Sequence, residues 1–127
     1  MDSIKPVVDQ TFARDFFTMV DRKNAQEYTS YFVEEGSVTF GNQAPLKGEK
    51  AILEGMTKFY DSLESMHHEI HNLWTESGVI ISEAIAHYVN KGSTKRVDIP
   101  VVTIVNLDGA LVERVQFYMD IAPLYQK

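Results

Sequence analysis

The run Met66 to Asn72, MHHEIHN, gathers three imidazoles and a carboxylate. Near neutral pH such side chains serve proton transfer or metal binding. Strand alternation separates them. Met66, Ile70 and Trp74 fall on one face with His68 and Asn72, while His67, Glu69, His71 and Thr75 fall on the other. Side chains four residues apart on a strand lie roughly 13 Å apart, so one ion cannot bridge His67, Glu69 and His71. A metal would need a neighbouring pair and a cross-strand ligand such as His87. The expectation is instead a solvated or dimer-facing polar face, with no metal and no cofactor. His68, a polar ring among apolar neighbours, must find a partner or line a cavity, and it is the candidate acid or base. The strand parity that turns Pro100 and Val102 inward carries Asp98 towards the same pocket, where it is the second catalytic candidate and the expected partner of His68, with Tyr88 as the alternative. Asn42, Tyr60, Asn72 and Tyr88 are candidates for holding a ligand's polar groups. Phe12, Phe16, Phe40, Met56, Phe59, Trp74 and Phe117 are core residues and candidates for its walls. On the strand Val79 to Val89 the expected inward residues are Ala84 and Ala86; the opposite parity would bring in Glu83 and His87.

Length and composition bound what these residues can belong to. A chain of 127 residues is one domain, residues 1–127, with a core large enough to need neither disulfide nor metal. Its net charge of −6 and scattered basic residues exclude a phosphate-tracking surface, so nucleic acid is not an expected partner. Without cysteine there is no disulfide, thiol nucleophile or thiolate site. No apolar run reaches membrane-spanning length and the start MDSIKPVVDQ has no signal-peptide pattern, so a cytoplasmic protein without a membrane partner is expected.

The elements that must position the candidates follow from periodicity. Val8, Phe12, Phe16 and Met19 predict a helix from about Pro6 to Asp21. Asn24 with Glu27 predicts a capped second helix bearing Tyr28, Tyr31 and Phe32 and ending at Gly36. Ser37 to Phe40 is a short strand, and Ile52, Met56, Phe59 and Leu63 mark a third helix beginning at Gly48. A long hairpin then folds back at Glu76-Ser77-Gly78. Arg96 to Val105 is a central strand, and Asp108-Gly109 turns the chain into a last strand over Ala110 to Asp120. Three helices followed by four long antiparallel strands make an α+β fold in which a curved sheet wraps the helices and encloses a pocket. Ile81, Ile85 and Val89 lie opposite Ala84 and Ala86, so this strand is apolar on both faces and predicts a homodimer through the outer sheet face.

The order of these elements, with Tyr31-Phe32-Val33-Glu34-Glu35-Gly36-Ser37-Val38, Pro45-Leu46-Lys47-Gly48, Ile70-His71-Asn72-Leu73-Trp74 and Phe117-Tyr118-Met119-Asp120, resembles the nuclear transport factor 2-like superfamily in its SnoaL-like and ketosteroid isomerase-like branch. The resemblance implies a cone-shaped α+β barrel with a hydrophobic pocket in its mouth, and often a dimer. It leaves the activity open. Aligned on ketosteroid isomerases, the catalytic Tyr, the general-base Asp and the oxyanion-hole Asp fall at Phe16, Phe40 and Val102. Aligned on limonene epoxide hydrolases, the Arg and two Asp fall at Ala84, Ala86 and Phe117, and Arg96-Val97-Asp98 comes one strand late. Neither reaction is expected. Two readings remain: an acid/base enzyme performing isomerisation, cyclisation or dehydration on an apolar polyketide-, terpenoid- or steroid-like substrate, or a non-catalytic ligand-binding or dimerisation module. Convergence of His68 and Asp98 would favour the first, and an interior filled by Phe16, Phe40 and Phe117 the second.

Overall fold

Between Leu63 and Tyr118 the sequence alternates or is β-branched and breaks only at turn residues, which makes this half of the chain a strand meander. The computed structural model describes residues 8–126. In it β3 (Leu63–Glu76), β4 (Val79–Asn90), β5 (Arg96–Asp108) and β6 (Leu111–Tyr118) pair antiparallel in chain order. Ser77 and Gly78, at φ 49° and 76°, form the first turn, the left-handed geometry that matches the twist of a two-residue hairpin. Beyond β6 lies β1 (Phe32–Phe40), which runs parallel to it, and the two-residue β2 (Leu46–Lys47) completes the order β2-β1-β6-β5-β4-β3. The sheet thus has six strands: the four long ones, the expected short strand lengthened into β1, and β2, which the sequence did not signal. Gly36 does not end a helix but sits in β1, where pairing with β6 jumps from Phe32–Val112 to Ser37–Arg114. A Cβ there would come within 2.8 Å of Phe32 Cδ2, so this bulge requires glycine.

The helices cover the concave face. α1 (Gln10–Asp21) starts behind Asp9, whose carboxylate accepts from the Phe12 N–H; the expected start at Pro6 lies outside the described residues. α2 (Ala25–Ser30) is capped as its sequence predicts, with the Asn24 side chain accepting from the Glu27 N–H, and it ends at Tyr31, leaving Phe32 to the sheet. α3 (Glu49–Asp61) begins where expected. Phe16, Phe17, Met19, Tyr28, Ile52 and Met56 are fully buried in the same core as Ile80, Ile99, Val105 and Val115 from the sheet. After β6 the chain closes with a 3-10 turn, Ala122–Tyr125, held by Asn90 Nδ2 donating to the Leu124 carbonyl at 2.7 Å. No helix among the described residues is long and apolar enough to cross a membrane.

Since β3 is the sheet's long free edge, its outward backbone groups need partners. α1 and the residue pair after it supply three. Gln10 Nε2 donates to the Leu73 carbonyl at 2.8 Å, the His68 N–H donates to Asp21 Oδ2 at 2.8 Å, and Lys23 Nζ donates to the Leu63 carbonyl at 3.0 Å. Gln10 and Asp21 lie about 16 Å apart along a helix, and His68 and Leu73 lie about 16 Å apart along a strand. The two elements therefore meet at both points when they run antiparallel. Lys23, at φ 57°, turns out of α1 in the left-handed conformation that commonly closes a helix.

Pairing fixes which residues face the helices. On β4 these are Ile80, Ser82, Ala84, Ala86 and Tyr88, all buried, leaving Glu83 and His87 on the convex face. Opposite them on β5, Ala86 pairs with Ile99 and Ala84 with Val101, so Ile99, Val101, Thr103 and Val105 point inward. Asp98, Pro100 and Val102 point outward, contrary to the sequence-based parity. On β3 the register shifts between Ile70 and Asn72. Past that bulge alternation inverts: Leu73 turns towards the core, while Asn72 and Trp74 are exposed. The expected places of Asn72 and Trp74 in a pocket are corrected accordingly.

Candidate functional site

His68 lies on the concave side, its side chain only 2% exposed. Its partner is neither Asp98 nor Tyr88 but Asp21, the last residue of α1. The His68 Nδ1 is 2.6 Å from Asp21 Oδ1, while Oδ2 accepts the His68 N–H. A carboxylate only accepts, so Nδ1 carries a proton. The Phe17 ring packs on the imidazole at 5.4 Å. A shallow cleft of about 370 Å³ opens beside the pair, with Arg14, Thr18, His67 and Glu69 in its walls. Sequence reasoning missed Asp21. Its signal was an acid in the last turn of a helix, where the dipole opposes negative charge and another partner is implied.

The interior that a SnoaL-like pocket would occupy is filled with rings. Phe40 stacks on Phe117 at 5.0 Å and tilts against Phe59 at 5.1 Å; Phe59 in turn touches Tyr60 and Tyr88, each at 6.0 Å. Phe16 and Met56 are buried deeper. The Tyr60 hydroxyl donates to the Val20 carbonyl, and burial pushes the pKa of both Tyr60 and Tyr88 well up, so these phenols stay protonated donors. Three buried hydroxyls, of Tyr28, Ser82 and Thr103, have no partner among the described residues, and Ser82 and Thr103 face each other across β4 and β5.

Above this packing, at the mouth, a cleft of about 310 Å³ opens between the end of β1, one face of α3 and the C-terminal 3-10 turn. Phe40, Leu46, Phe59 and Ile121 make its apolar walls, and Gln43, Lys58, Ser62 and Tyr125 bring the polar groups. Of the pocket residues expected from sequence, Phe40 and Phe59 line it. Phe16, Met56, Tyr60, Tyr88 and Phe117 are core, and Asn42 is exposed in the turn beside Gln43. Lys58 and Gln43 were missed because an exposed lysine and a loop glutamine carry no periodic signal.

Asp98 belongs to a separate, convex cluster. His87 Nδ1 is 2.7 Å from Asp98 Oδ1 and its Nε2 is 2.8 Å from Glu69 Oε1. The other Glu69 oxygen meets His71 Nε2 at 2.8 Å, the Arg96 guanidinium holds Asp98 at 2.8 Å, and the His67 ring stacks on His87. A carboxylate on each nitrogen favours the protonated ring. The Asp98 contact first, and then that of Glu69, raises the His87 pKa; the His87 contact lowers those of Asp98 and Glu69. A raised folded-state pKa stabilises the fold fully below the unfolded value of about 6.5 and loses that contribution as pH rises through the folded value. An NMR titration should therefore give His87 a midpoint above about 6.5, and His87→Gln should flatten the fall in melting temperature across that range. A midpoint at or below the reference value would show the contacts to be absent in solution.

A family model of the SnoaL-like domain matches residues 13–115. Among solved structures, one named as a SnoaL-like polyketide cyclase from a Jannaschia species superposes with a TM-score of 0.75 at 13% identity, covering 98% of this chain and 95% of that one. A protein with a ketosteroid isomerase-like fold from Catenulispora acidiphila gives 0.76 at 16% identity, covering 87% and 86%. A cystatin-fold protein from Novosphingobium aromaticivorans gives 0.69 at 14%, covering 84% and 94%. At such identities the likeness concerns the fold alone. No curated protein matches the chain. The helix-filled curved sheet and the span of the family match make this chain a member of the SnoaL-like family, within the nuclear transport factor 2-like superfamily.

Proposed function

We propose that this SnoaL-like domain is a non-catalytic binder of a small, largely apolar ligand, held in the mouth cleft between Phe40, Phe59 and Tyr125. The observation that carries this reading is the ring packing of Phe40 with Phe117 and Phe59, which occupies the interior where a buried substrate would lie. The mouth cleft is lined by no carboxylate and no imidazole, the side chains that most often carry general acid and base catalysis. Its volume is at the small end of ligand pockets. Indole is a suitable probe. Saturation-transfer NMR should detect its binding, and Ala44→Trp, which fills the cleft from an exposed loop, should weaken it by about tenfold, the scale of one lost aromatic contact. Binding unaffected by Ala44→Trp, or no binding at all, refutes the assignment.

A second reading, an acid/base enzyme acting on a polyketide-, terpenoid- or steroid-like substrate, is favoured by one feature: the Asp21–His68 pair beside the cleft at α1. Against it stands the near-complete burial of the His68 ring, whose Nδ1 and N–H are both committed to Asp21.

The convex face supports a homodimer. Trp74 and Tyr118 are about half exposed there, with Pro100 exposed and Ile81, Ile85, Val102 and Ile104 partly so. An apolar sheet face of this kind ordinarily has a partner. Light scattering at micromolar concentration should give twice the monomer mass, and Val102→Glu should reduce it to the monomer. A monomeric wild-type protein rules the dimer out.

A further inference from the structure

Gly55, Lys58, Phe59 and Ser62 recur at the spacing of one helical face, and that face of α3 is a wall of the mouth cleft. Lys58 is the single residue lining it that is charged at neutral pH. Among the described residues it makes no ion pair. Glu54 and Asp61, about one turn before and after it, do not line the cleft. A basic residue in the last turn of a helix also suits the dipole. That accounts for a cation at this position, but not for its standing at the rim of a cleft whose other walls are Phe40, Phe59 and Ile121. The Ser62 hydroxyl is committed to the Phe59 carbonyl at 2.6 Å, which leaves the Lys58 ammonium, the Gln43 amide and the Tyr125 hydroxyl as the groups available to a ligand. All three can donate hydrogen bonds, and none is an anion at neutral pH.

Resting on the ligand-binding reading above, we infer that the mouth cleft selects an amphipathic organic anion: an aryl or alkyl chain that lies against Phe40 and Phe59, ending in a carboxylate that pairs with Lys58. The chain as a whole carries a net charge of −6, so general attraction would not bring such a ligand to it. The selectivity has to come from the local cation, and it weakens as salt screens the partly exposed pair.

Phenylbutyrate and phenylbutanol, an acid and a neutral alcohol of matched apolar body, are the probes. They are titrated by amide-shift NMR into the wild type, Lys58→Met and Lys58→Arg, all at low ionic strength. The acid should bind the wild type about tenfold more tightly than the alcohol, the effect expected of one charge-assisted contact. Lys58→Met should abolish most of the acid's advantage by weakening the acid far more than the alcohol, and Lys58→Arg should keep the preference. Shifts should centre on Phe40, Gly55 and Phe59. Equal binding of acid and alcohol to the wild type, or a preference for the acid that survives Lys58→Met undiminished, overturns the anion selectivity while leaving ligand binding in place. Failure of both probes to shift any cleft amide overturns the selectivity and the binding reading together.

Discussion

The free edge of β3 is the constraint that the rest of this structure answers. A strand of this length at the margin of a sheet exposes a row of backbone donors and acceptors, and natural folds cover, shorten or charge such edges. At the far margin the solution is brevity, since β2 has only the residues Leu46–Lys47. At β3 it is α1, held at one end by Gln10 and at the other by Asp21 and Lys23. Docking α1 there sets Phe16 and Phe17 over the sheet, and Phe16 then meets Tyr28 and Tyr31. From these a continuous series of rings runs through Tyr60 and Phe59 to Phe40 at the mouth. The interior is thus filled as a consequence of how its edge is covered.

His68 shows how one residue's chemistry depends on that constraint. An imidazole on an apolar strand face reads as a catalytic candidate, and burial among Met66 and Phe17 would be costly without a partner. Asp21 satisfies both the ring and the backbone N–H of the same residue, which makes His68 part of the helix-to-edge attachment. The acid/base equipment of the convex face, His87 between Asp98 and Glu69, is likewise satisfied internally. The mouth differs from both clusters, since apolar walls there meet Lys58, which makes no ion pair among the described residues.

Much of the fold was legible because its signals are local: the Asn24 cap, the Ser77-Gly78 turn and the α3 stripe were read directly from the chain, whereas the strand of Ala84 and Ala86, apolar on both sides, left Glu83 and His87 as the alternative until its pairing fixed its facing. The site was less so, for two physical reasons. A single-residue bulge after Ile70 inverts alternation, and nothing in Ile70-His71-Asn72 announces it, so Asn72 and Trp74 were placed on the wrong face. On β5, Ile99 to Val105 is apolar at almost every position, and such a strand has no parity of its own. Its facing is dictated by its partner: once Ala86 is inward, Ile99 must be, and Asp98 must lie outside with His87. Family likeness supplied the cone but no substrate; Phe16, Phe40 and Phe117, where the resemblance would set residues that act in related enzymes, serve as packing here.

The attachment of α1 to the edge of β3 can be measured at one atom, the amide proton of His68. On an uncovered edge it would exchange nearly as fast as in a loop; bonded to Asp21 Oδ2 it should be protected like the ladder amides of β4. Replacing Asp21 by alanine should speed its exchange by about a hundredfold, the equivalent of one hydrogen bond to a partly buried charge, while the Val101 amide in the sheet centre changes far less. Fast exchange at His68 in the wild type, or exchange that is indifferent to Asp21→Ala, would contradict the role given to this contact.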